Sequence, residues 1–115
     1  MSDVFEFVTD WLTVPEVADK LGIVPGKVRR LIEENALFVV VRDGVKKVPA
    51  HLIVDGEPLP SIPGTINVLI DAGFGLERAV EWLYTVEDSL GRRPIESLLL
   101  GSKSEVRRIA QTLLF

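Results

Sequence analysis

The sequence predicts a mainly α-helical chain with one small β-hairpin. Three observations lead there. Apolar residues recur at helical spacing through most of the chain. One aspartate–glycine pair, Asp43-Gly44, lies between two valine-rich runs, the strongest short-range hairpin signal. Prolines and glycines stand where helices start and stop. The 115 residues suit one compact domain or two small ones.

Residues 1–12 are acidic and aromatic, with Asp3, Phe5, Glu6, Phe7, Asp10 and Trp11. They read either as a short helix packed on the body or as a frayed end. Thr13-Val14-Pro15-Glu16 then reads as a helix start. Thr13 can cap, Glu16 holds the capping-box position, and proline is tolerated in the first turn. Val14, Val17, Ala18 and Leu21 fall on one face, and Gly22 ends the helix. Pro25 opens a second helix, whose expected buried stripe is Val24, Val28, Leu31 and Ile32. Two short helices joined through a glycine turn form a helix-turn-helix pattern.

A two-residue Asp43-Gly44 turn pairs Arg42 with Val45, Val41 with Lys46, Val40 with Lys47 and Val39 with Val48. Alternation puts Val39, Val41 and Val48 on the expected core face, with Lys46 near the tip. Arg42, Lys47, Val40 and Val45 take the other face. A hairpin directly after a helix-turn-helix is a wing. The expected fold is therefore a winged helix-turn-helix over residues 1–56, followed by a helical C-terminal domain over residues 57–115.

Pro58, Pro60 and Pro63 argue against central strands in the connecting stretch, where Asp55-Gly56 marks a further turn. Ile62, Ile66, Leu69 and Ile70 share a face, as do Leu76, Ala79, Val80 and Leu83. Pro94 opens a short helix carrying Ile95, Leu98 and Leu99. Ser104 is the expected cap of a last helix bearing Val106, Ile109, Ala110 and Leu113.

Composition narrows the function classes. The chain has no cysteine, which removes disulfides, thiolate metal sites and thiol catalysis. Its one histidine, His51, reads as a structural or surface residue rather than a nucleophilic or acid–base group, and Asp71 with Glu77 reads as a pair of solvated helix-end carboxylates. No enzyme, cofactor or metal is expected. No apolar stretch reaches the roughly 18 residues of a membrane span, so the expectation is a soluble, cytoplasmic protein without a membrane partner.

Net charge is −4, which by itself opposes nucleic-acid binding, since phosphate neutralisation dominates that affinity. The distribution reverses the argument locally. Residues 20–47 hold seven basic against three acidic residues, a window of +4 on a remainder of −8. Lys27, Arg29 and Arg30 lie on the second helix, the element that enters the major groove in helix-turn-helix proteins. Arg42, Lys46 and Lys47 lie on the wing, within expected reach of a neighbouring phosphate or the minor groove. These six are the candidate contacts to duplex DNA. Arginine can hold guanine or phosphate with two hydrogen bonds, whereas lysine acts as a point charge. The competing structural reading pairs Arg29 and Arg30 with Glu33 and Glu34 as a solvated helix face.

The run from Trp11 to Val24, followed by Lys27-Val28-Arg29-Arg30-Leu31-Ile32, resembles excisionase and MerR-like winged helix-turn-helix domains. With the wing and the stretch from Ile62 to Phe74 added, the whole chain resembles a small actinobacterial family of winged-helix DNA-binding proteins. That resemblance implies a DNA-binding, regulatory role for the first half. Ala79-Val80-Glu81-Trp82-Leu83 and Leu90-Gly91-Arg92-Arg93-Pro94 through Leu99 are similar to the toxin-binding domain of Xre/MbcA/ParS-type antitoxins. This second resemblance implies a homodimer or a protein partner held by residues 75–115. The alternative is that these helices only complete the core.

Overall fold

The computed structural model describes residues 3–113. Two compact units form: residues 8–60 are one, and residues 3–7 join residues 61–113 in the other. The sequence placed a single boundary after residue 56. The first residues go with the second unit because Phe5 and Phe7 pack on Tyr84, with ring centroids 5.2 and 6.5 Å apart.

In the first unit the order is β1 (Trp11–Thr13), α1 (Val14–Leu21), α2 (Pro25–Glu33), β2 (Val40–Arg42) and β3 (Val45–Pro49). A 3-10 turn follows at Ala50–Leu52, then β4 (Ile53–Val54) and β5 (Glu57–Pro58). The hairpin register is the expected one, with Val40, Val41 and Arg42 opposite Lys47, Lys46 and Val45. Asp43 and Gly44 both take positive φ, 53° and 77°, as a tight hairpin turn requires. The sequence reading missed β1, which pairs with β3 and completes a three-stranded antiparallel sheet in the order β1-β3-β2. Three residues ending on a helix cap are too short to show strand alternation.

Leu12, Val17, Val28, Leu37, Val48 and Leu52 make the core of this unit. Two expected core residues lie outside it. Val41 is 62% exposed, because the wing carries it past the core toward the turn. Val24 is 61% exposed. It is the N-cap of α2, with extended backbone, so the helical periodicity that placed it in the buried stripe does not reach it.

The second unit contains α3 (Ile62–Asp71), α4 (Leu76–Leu83), α5 (Pro94–Leu99) and α6 (Lys103–Gln111). Ile62, Ile66, Leu69, Leu83, Ile95 and Val106 are fully buried, while Ile70 and Leu76 are exposed at the edges of their stripes. Helix α6 starts two residues earlier than expected, with Ser102 rather than Ser104 as N-cap. A Cβ at Gly64 of α3 would meet the guanidinium of Arg107, the flexible end of a side chain from α6. Arg107 in turn donates from Nη2 to the Ser61 carbonyl at 3.3 Å. The guanidinium of Arg93 lies 5.3 Å from the Phe7 ring and reaches Glu6 and Glu96, each at 3.7 Å, which ties the N-terminal segment to this unit.

Candidate nucleic-acid interface

The first helix of the site is fixed at both ends by local chemistry. The Glu16 N–H donates to Thr13 Oγ1 at 3.4 Å, and the Thr13 N–H donates to Glu16 Oε1 at 2.8 Å, a reciprocal capping box. The backbone hydrogen bond from Thr13 holds the Glu16 carboxyl below its ordinary value, helped by the Thr13 side chain. At the other end Gly22 adopts φ 68°, a left-handed cap that glycine takes without penalty. The Ile23 N–H then bonds to the Ala18 carbonyl at 3.1 Å. Only Gly22, Ile23 and Val24 separate α1 from α2, so the turn sets how the second helix is presented.

On α2, Val28 faces the core and Lys27, Arg29 and Arg30 are exposed. Lys27 and Arg30 border one groove of about 410 Å³, whose apolar floor includes Leu21, Ile23, Leu31 and Pro58. Arg29 goes to the other flank of the helix. It borders a second groove of about 240 Å³ with Lys46 of the wing, over Val14, Ile32 and Val39. The fold thus brings Arg29 and Lys46 together although they are far apart in sequence. Arg30 Nε lies 3.9 Å from Glu34 Oε2, with side chains 78% and 61% exposed. A pair this open to water contributes little to stability and leaves the guanidinium available.

Arg42 and Lys47 occupy the opposite sheet face. The Arg42 guanidinium stacks 5.0 Å from the Trp11 ring. Lys47 stands across from Thr13 in the ladder and adds to the lowering of the Glu16 carboxyl. The six candidates therefore form three pairs: Lys27 with Arg30, Arg29 with Lys46, and Arg42 with Lys47. The sequence reading missed the role of Trp11 as the platform for Arg42. An aromatic residue opposite Pro49 in a strand would have given it, had β1 been recognised.

His51 sits half-buried in the 3-10 turn, and burial lowers its pKa. A neutral folded histidine facing a protonated unfolded one loses stability as pH falls below about 6.5. The expected result is an imidazole NMR titration with its midpoint below that of a free histidine, and a falling unfolding midpoint in the same pH window. A midpoint at or above the ordinary value would refute it. Among the described residues no group of three or more histidine, aspartate or glutamate side chains could hold a metal ion. No helix among them is long and apolar enough to cross a membrane.

A glycine-turned helix pair, an antiparallel wing and a basic second helix define a winged helix-turn-helix protein. Residues 1–53 match the family model described as "DNA-binding protein Rv2175c, wHTH domain", and residues 59–113 match the "Rv2175c C-terminal domain of unknown function". The chain belongs to this Rv2175c family, carrying both of its domains in order. It is 29% identical over 115 residues to the DNA-binding protein Rv2175c of Mycobacterium tuberculosis, covering 89% of this chain and 79% of that protein. The NMR structure of Rv2175c superposes with a TM-score of 0.84 at 28% identity, covering 99% of this chain and 87% of the other.

Proposed function

We propose that this protein binds duplex DNA as a regulator of transcription, through α2 and the wing. The observation that carries the reading is the placement of exposed Lys27, Arg29 and Arg30 on the second helix of a winged helix-turn-helix, with Lys46 beside Arg29. Family membership supports it, since the matching relative is a DNA-binding protein. Helix α2 enters the major groove; Arg29 with Lys46, and Arg42 with Lys47, take phosphates on either side. No catalytic step is part of this role, and its place of action is the cytoplasm.

About four to six phosphate contacts give roughly −4 to −5 for the slope of log affinity against log salt. One copy then binds modestly, and pairing of copies raises affinity. Pairing, or capture of a protein partner, falls to residues 75–115, where Leu76, Val86 and Leu100 expose apolar side chains. The test is a salt titration of the full chain on genomic duplex fragments, run beside a sizing column. A steep negative slope is expected. Affinity that does not respond to salt, or no binding at low salt, would sink the proposal.

A further inference from the structure

Val24 breaks two local preferences at once. It is the N-cap of α2, a position where serine, threonine, aspartate or asparagine supplies a hydrogen bond and valine supplies none. It is also a large apolar side chain left 61% exposed. The neighbouring helix α1 follows the rule, with Thr13 at its N-cap making the expected bond. Residues that violate local rules without a structural return cluster at functional positions. The position of Val24 is specific: it stands at the leading end of the helix that reads DNA in this fold class. Gly26 puts no side chain beside it, and the space where a Cβ would stand is open. Lys27 and Arg30 follow on the same helix, both exposed.

An exposed isopropyl group cannot hydrogen-bond to a base edge or a phosphate. It fits the one apolar feature of the major groove, the C5-methyl group of a pyrimidine, which thymine carries in ordinary DNA. We propose that Val24 is a specificity-determining residue that packs against a thymine methyl group, beside the base or phosphate contacts of Lys27 and Arg30. The inference rests on the DNA-binding reading and goes beyond it by naming a chemical group that the site selects.

The test uses the full chain and a duplex selected from a random-sequence pool. Each thymine of that duplex is replaced singly by uracil, which keeps the base pair and removes only the methyl group. For the wild-type protein, one replacement should weaken binding by about threefold to fivefold, the worth of one buried methyl. Val24→Ser should abolish that sensitivity, and Val24→Ile should keep it. Val24→Ser also supplies the missing cap, so its unfolding midpoint should rise by roughly 2–6 °C, which separates lost reading from lost folding. Wild type indifferent to every uracil, or Val24→Ser as sensitive as wild type, overturns the proposal. A response to 5-methylcytosine in place of cytosine, with none to uracil, moves the contact to a methylated cytosine and overturns the thymine assignment. A changed oligomeric state in Val24→Ser with base discrimination intact would assign the side chain to a protein contact instead. In each of these outcomes salt-dependent DNA binding persists, so failure here is distinct from failure of the DNA-binding reading.

Discussion

Arg29→Glu combined with Arg30→Glu is expected to weaken binding to duplex DNA by on the order of 100-fold at moderate salt, with little change in stability. Both side chains are exposed, so their replacement removes no packing. Each substitution removes a cation and adds an anion next to phosphate. Arg30 is held by the open pair with Glu34, and Arg29 borders the groove shared with Lys46. The loss should shrink as salt rises, because it is largely electrostatic, and the salt slope should become shallower by roughly one for each phosphate contact removed. The measurement is anisotropy on one duplex at several salt concentrations, with circular dichroism as the control for folding. A double variant that binds within twofold of wild type, with an unchanged slope, would move the interface off this helix.

Tyr84→Ala is expected to destabilise the second unit by about 3–5 kcal/mol, a large share of the 5–15 kcal/mol that holds a typical domain. Tyr84 is the C-cap of α4 and is 1% exposed. Its ring meets Phe5 edge-on and Phe7 at a tilt, so alanine would leave a cavity and uncover two further aromatic rings. Burial also pushes the hydroxyl pKa well above its ordinary range. The unfolded phenol ionises above about pH 10 while the folded one does not, so stability falls as pH rises past that point. Denaturant unfolding followed by the second unit's signal reads the first effect. A phenolate absorbance that develops only with unfolding reads the second. An unfolding midpoint equal to wild type would show that residues 3–7 and Tyr84 do not form the packed cluster described.

The two variants act on different units, and the contrast reflects what kind of signal each residue carried. Helix α1 was legible because capping box, proline and glycine are local devices: Thr13, Glu16, Pro15 and Gly22 all lie within one short run. The hairpin register was legible because Asp43-Gly44 allows only one close pairing of its flanks. The basic residues of α2 were legible as a cluster for the same reason, since one helix displays them together.

The long-range facts were not legible. Strand β1 exists because β3 offers it a ladder, and three residues carry no period of their own. The stacking of Arg42 on Trp11 and the meeting of Arg29 with Lys46 both depend on where the hairpin folds back. The attachment of residues 3–7 to the second unit depends on the distant Tyr84 and Arg93. Val24 marks the division most sharply. Its apolar character and its place in the stripe suggested burial, but only the folded chain shows that the helix begins after it and leaves it in the open. The sequence alone determined the helices, the wing and the local excess of positive charge, because each arises from neighbours in the chain. Tertiary structure decided which side chains meet and which apolar residues stay exposed, because those depend on surfaces that distant segments create.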